Sequence, residues 1–253
     1  MPRIQLRVGF ALLALFLRAM PASADSVKWP QPDGPGTDVL LTYSFSNLLD
    51  GGFNTTLSRT DLQEATIAAF SVWSRYAPLH FREVQDAGPW PSETDYSPGA
   101  AADIRIGYQS SLSDGTVAHA HVPQPGVSAL AGDIHFSNDV SSFHASAWGA
   151  ASAGPFVDFF SAILHEIGHA LGLPHSADGS GIMGLTFLVF LTRDQGDLLP
   201  SDIAAIRALY GAGRGSVVPL DGPSVITPEP ASVILMTTGL GILARRRFSR
   251  SRP

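Results

Sequence analysis

The 253-residue chain contains no cysteine. That absence removes disulfides, a thiol nucleophile and every cysteine-held zinc site at once. A metal here must be taken by histidine and carboxylate side chains. Charged residues are also scarce, 15% against 45% hydrophobic ones, so most of the chain has the apolar content to fold around a core. The formal net charge is −6, and no basic stripe crosses the middle of the chain, which argues against nucleic acid as a partner. Long apolar runs are missing too; the two that exist are short and sit at the ends. The Gly-Gly-x-Gly-x-Asp repeats that bind calcium in some secreted proteins are absent.

Both ends read as signals. Arg3 and Arg7 precede an apolar stretch, Val8 to Leu17, and the small residues Ala22-Ser23-Ala24 follow. This is the pattern of a secretory signal peptide over 1–24. At the other end Pro228-Glu229-Pro230 leads into an apolar run, Ala231 to Ala244, and then Arg245-Arg246-Arg247. The run is short for a bilayer span, which takes about 20 residues, and the arginines suit the cytoplasmic side. Residues 228–253 resemble the PEP-CTERM sorting signal of Gram-negative bacteria. The resemblance implies transient inner-membrane anchoring, processing machinery acting at Pro228-Glu229-Pro230, and delivery to the cell surface or extracellular matrix. A plain C-terminal membrane anchor is the alternative.

Between the ends, 25–38 is rich in proline and glycine and reads as an extended lead-in. Val39 to Phe45 is β-branched and aromatic enough for a strand. A helix is expected from Thr60 as N-cap, with Gln63 three residues on, to the stop at Pro78. Strands are expected at Leu79 to Val84, Ile104 to Tyr108, Thr116 to Val122 and Gly132 to Phe136. A second helix spans Val157 to Leu171, closed by Gly172. A third spans Ser201 to Tyr210, with Ser201 as N-cap. The main domain is then 39–212, and 213–227, full of small residues and proline, reads as a linker.

The chemistry concentrates in HEIGHALGLPH, residues 165–175. On a helix His165 and His169 lie four apart and project from one face, able to hold one ion. Gly172 ends the helix and lets His175 return as a third ligand. Three histidines with a fourth position open make a catalytic zinc site rather than a closed structural one. Glu166, beside the first ligand, can reach a water rather than the metal. The apolar neighbours Ile163, Leu164, Ile167 and Leu171 hold the helix from behind.

This long motif resembles that of the metzincins, with Ser180-Gly181-Ile182-Met183 where their Met-turn lies. Within that clan the chain resembles the matrixins. LSRTDLQEATIAAFSVWSRYAPLHFREV (57–84), ADIRIGY, VAHAHVPQPG, GDIHFS and LLPSDIAAIRALYG match the family's successive elements, over roughly 39–211. The resemblance implies an α+β zincin fold: a twisted, mixed, five-stranded sheet, three main helices, and a cleft between an upper and a small lower subdomain. It implies a zinc metalloendopeptidase acting on extracellular proteins by Glu166-assisted attack of a zinc-bound water. It places Met183 beneath the ligands, Leu185 to Leu199 along a hydrophobic pocket, and the 116–122 strand where substrate backbone adds.

Matrixins also carry a structural zinc on three histidines and one aspartate. His119 and His135 stand where two of those ligands belong; the other two are missing, and His121 shares a strand face with His119. A degenerate zinc site and ordinary surface histidines both remain open. Asp103 and Asp133 match positions that hold calcium, and hard carboxylates at strand ends suit that ion. Ser137 replaces an expected aspartate, which weakens a further calcium site near Asp114. Two rivals stand beside the enzyme reading. One is another metzincin subfamily. The other is a catalytically silent surface or matrix protein that uses the metal structurally, against which an intact Glu166 tells.

Overall fold

The computed structural model describes residues 27–86, 102–112, 117–124, 130–139, 159–184 and 197–220. The two terminal signals, Asp114 and most of the expected pocket wall (185–196) lie outside these residues. No helix among the described residues is long and apolar enough to cross a membrane.

The chain runs β1 (Val39–Phe45), α1 (Arg59–Ser74), β2 (Leu79–Glu83), β3 (Ile104–Gln109), β4 (Ala118–Ala120), β5 (Ile134–Ser137), α2 (Phe159–Ala170), α3 (Pro200–Tyr210) and β6 (Ser216–Val218). Sheet order is β4-β5-β3-β1-β2-β6. β1 pairs in parallel with both β2 and β3, β3 with β5, and β2 with β6, while the edge strand β4 runs antiparallel to β5. Parallel neighbours need a crossover, and α1 supplies it between β1 and β2. The fold is thus the expected α+β arrangement of a mixed sheet and three helices.

The sheet has six strands where five were expected. β6 lies inside the 213–227 stretch that read as a linker, and Val217 is fully buried. The small residues there serve close approach: a Cβ on Gly215 would come 1.6 Å from the Leu79 carbonyl oxygen. The lead-in likewise belongs to the body of the protein, since Trp29 joins the core.

Helix starts also differ from expectation. α1 is capped by Ser58, whose hydroxyl accepts from the Asp61 N–H at 3.2 Å while Asp61 accepts from the Ser58 N–H at 2.9 Å. This reciprocal pair satisfies two orphan donors two residues before Thr60, with aspartate in the role usually given to Glu or Gln. α3 begins at Pro200, where the missing N–H is no loss, with Leu199 rather than Ser201 as N-cap. β4 is shorter than the 116–122 expected, three residues at the sheet edge.

α1 and α2 meet over the sheet. Tyr43, Phe70 and Phe81 form an aromatic stack between β1, α1 and β2, with centroids 4.6 and 4.5 Å apart. Trp73 of α1 donates its indole N–H to the Leu164 carbonyl at 2.9 Å. Gly168 lets the two helices close, for a Cβ there would meet Met183 Sδ at 2.3 Å and Trp73 at 3.0 Å. α2 is therefore gripped from behind along the segment that carries its histidines.

Candidate metal centre

α2 is buried on nearly every side, His165 and Glu166 included at 2% exposure each. One turn later His169 is half-buried, and beyond the Gly172 turn His175 is exposed. The three offer one ring nitrogen each, all within 4.8 Å of one another. Gly172 adopts φ +95°, the left-handed conformation that ends a helix and reverses the chain.

Backbone carbonyls fix how two of the rings face. His165 Nδ1 lies 2.6 Å from the Ile182 carbonyl oxygen, and His169 Nδ1 lies 2.7 Å from that of Leu173. A carbonyl only accepts, so each Nδ1 carries the proton and each Nε2 is left with its lone pair. His169 Nε2 then sits 3.2 Å from His175 Nε2, a contact that needs either a proton on His175 or a shared cation. Burial, with the neighbouring histidines adding to it, pushes the His165 pKa down to about 4, and burial lowers that of His169 as well. Neutral, pre-oriented imidazoles are what a borderline-soft divalent ion requires. The donor set fits zinc.

The loop that supplies the Ile182 carbonyl is itself held. Asp202, third residue of α3 and 2% exposed, accepts hydrogen bonds from the N–H groups of Ile182 at 3.0 Å and Met183 at 3.3 Å. Its other acceptance, from the Leu199 N–H at 3.3 Å, closes the start of α3. Gly181, at φ +75°, leaves space that a Cβ would take from this carboxylate, 2.3 Å away. Met183 lies buried under the histidine helix against Gly168. Asp202 was not singled out in the sequence, although an acidic residue in a first helical turn was visible there.

A second histidine cluster occupies the edge of the sheet. His119 on β4 sits opposite His135 on β5, and His121, just past β4, completes a group whose ligand atoms lie within 4.8 Å of each other. His119 Nε2 approaches His135 Nδ1 at 3.1 Å, as does the side-chain nitrogen of Gln109. His135 is fully buried, its Nε2 has no hydrogen-bond partner among the described residues, and its pKa is pushed down to about 3 by burial and by the His119, His121 and Arg105 charges. His121 thus joins the two residues first read as a pair.

The two aspartates lie on neighbouring loops. Asp103 spends Oδ2 on the Thr42 N–H and hydroxyl, both at 2.7 Å. Asp133 is 2% exposed, its Oδ2 has no hydrogen-bond partner among the described residues, and burial raises its pKa to about 7 despite the nearby Arg105. An orphaned buried carboxylate oxygen fits a hard cation.

A mixed sheet backed by a helix with paired histidines, and a third histidine beyond a glycine turn over a buried methionine, define a metzincin-type domain. The Matrixin family model matches residues 36–211, and the chain belongs to that family. It is 32% identical over 192 residues to macrophage metalloelastase of Oryctolagus cuniculus, covering 76% of this chain and 36% of the relative. To matrilysin of Felis catus it is 34% identical over 157 residues, 61% and 53% respectively. To interstitial collagenase of Equus caballus it is 31% identical over 198 residues, 75% and 35%. The chain thus spans between about a third and a half of the length of these relatives.

Proposed function

We propose that the protein is a zinc-dependent endopeptidase that hydrolyses peptide bonds in extracellular proteins. The observation that carries this reading is the convergence of His165, His169 and His175 beside a buried Glu166. The three histidines hold the ion, and zinc, when bound, supplies Lewis-acid chemistry that polarises a carbonyl and acidifies a water. Glu166 accepts the proton of the attacking water and returns it to the leaving amine, work typically worth about 10²–10⁴-fold. β4, the edge strand of the sheet among the described residues, is the strand along which an extended substrate adds as a further one.

Accessory ions extend the proposal. His119, His121 and His135 hold a second, structural zinc, and Asp133 with Asp103 holds calcium. The 1–24 signal exports the chain, and the 228–253 segment retains it briefly at the inner membrane before release to the cell surface. Met183 serves as apolar floor to the zinc ligands.

The test is cleavage of a quenched-fluorescence peptide library by the purified protein, before and after a zinc chelator. The reading expects hydrolysis that stops with chelation and returns when zinc is added back. Zinc-loaded protein that cleaves nothing would favour the silent surface protein instead.

A further inference from the structure

The turn that sends the chain from His169 to His175 is held from outside by the lead-in. Trp29, 5% exposed, donates its indole N–H to the Ala170 carbonyl at 2.9 Å. Its backbone N–H donates to Tyr210 Oη at 3.0 Å, and the same hydroxyl donates to the Leu171 carbonyl at 2.8 Å. The first acceptor is the last carbonyl of α2 and the second follows it directly, so neither has a partner inside the helix. Against the next residue, Gly172, lies the Val27 carbonyl oxygen, so near that a Cβ would meet it at 2.0 Å. Lys28 donates to the Leu209 carbonyl at 2.7 Å and Gln31 to the Tyr210 carbonyl at 3.0 Å, tying the same segment to the end of α3.

Residues 27–31 thus buckle the ends of α2 and α3 together across the turn. One residue beyond Gly172, the Leu173 carbonyl accepts a hydrogen bond from the His169 Nδ1–H. That bond sets the ring plane of His169 and aims its Nε2 at His175. Partners of this kind, one step removed from the ion, usually tune metal affinity by about 10–100-fold.

We propose that the Lys28–Gln31 strap is a positioning device for the metal centre. Trp29 is its positioning residue, acting on His169 through the Ala170–Leu173 turn. It touches neither ion nor substrate. The strap fixes a backbone carbonyl, and the carbonyl fixes a ligand. The proposal rests on the triad being the zinc site.

The experiment is zinc release from the full-length protein to a chromophoric chelator, alongside thermal unfolding of the metal-free form. The release phase that belongs to the triad is the one missing from His175→Ala. Trp29→Phe keeps an aromatic ring but removes the donor, and Tyr210→Phe removes the bridging hydroxyl while keeping the ring. Each should weaken zinc binding in that phase by roughly tenfold. Leu62→Ala, about 16 Å along α1 from Trp73, lowers the unfolding temperature through a core void and should leave the zinc constant within about twofold. Unchanged zinc affinity in both Trp29→Phe and Tyr210→Phe would overturn the proposal, as would an equal loss in Leu62→Ala. Wild-type protein with no such release phase would instead remove the zinc reading itself, a distinguishable result.

Discussion

Asp202 accepts a hydrogen bond from the Ile182 N–H at 3.0 Å, and the carbonyl of Ile182 accepts one from His165 Nδ1 at 2.6 Å. A carboxylate at the start of α3 therefore orients an imidazole on α2 through a single intervening residue. The same carboxylate holds Met183 by its N–H, so the loop beneath the site and the ring above it share one anchor.

Replacing Asp202 by alanine should loosen both. Zinc affinity is expected to fall by about 10–100-fold, and stability should drop by about 1–3 kcal/mol because the Ile182 and Met183 N–H groups lose a buried acceptor. Competition for zinc with a chelator, run beside chemical denaturation, measures the two effects. A stable variant with wild-type zinc affinity would refute the link between Asp202 and His165.

Gly168 and Met183 should be coupled. Gly168→Ala forces a methyl group against Met183 Sδ and Trp73, with an expected cost of about 1–3 kcal/mol. In a Met183→Ala background the sulfur is gone and the penalty should shrink by at least about 0.5 kcal/mol, the non-additivity typical of residues in contact. A double-mutant cycle by urea denaturation reads it. Strict additivity would mean that Trp73, rather than Met183, bears the clash.

The buried carboxyl of Asp133 gives a pH signature. Its folded pKa, raised to about 7, lies above the ordinary value of 3.8. The folded state therefore binds the proton more tightly, and the penalty of the charged form grows as pH rises from 3.8 through 7. In calcium-free buffer Asp133→Asn should be more stable than wild type at pH 8 by ~1–3 kcal/mol. The gap should close as pH falls toward 4. Calcium at pH 8 should stabilise wild type and leave Asp133→Asn unmoved. The histidines with lowered pKa act in both proteins, so the difference isolates Asp133.

The edge cluster predicts a second metal. Wild-type protein should bind about two equivalents of zinc by elemental analysis. His135→Ala and His121→Ala should each lose one equivalent and retain peptide cleavage, provided the variants stay folded by circular dichroism. Loss on His135→Ala but none on His121→Ala would return the site to the pair first read in the sequence.

Much of this arrangement was legible in the chain because its signals are periodic or fixed in spacing. The helical interval from His165 to His169 and the glycine before His175 needed only helix geometry, and the strands β1, β2, β3 and β5 announced themselves by β-branched and aromatic runs. What escaped has a common physical cause. β6 is three residues long, so no alternation could form, and its flanking Gly215 looked like a linker residue when it was there for contact with Leu79. Ser58 caps α1 through Asp61, an aspartate in the place usually taken by Glu or Gln. Trp29 and Asp202 act through backbone groups 141 and 20 residues away, respectively, and nothing local in the sequence records such pairings. His121 belonged to the cluster by strand alternation, but only the antiparallel register of β4 on β5 brings it near His135.

Glu166 carries the central claim, and Glu166→Gln is its most direct test, because the amide keeps the shape of the side chain while losing the basic oxygen. The measurement is peptide hydrolysis by wild type and Glu166→Gln at matched zinc content. The account predicts about one zinc at the triad in both proteins and a rate at least ~10²-fold lower in the variant. Equal rates with zinc bound, or a zinc-loaded wild type that cleaves no peptide, would contradict it.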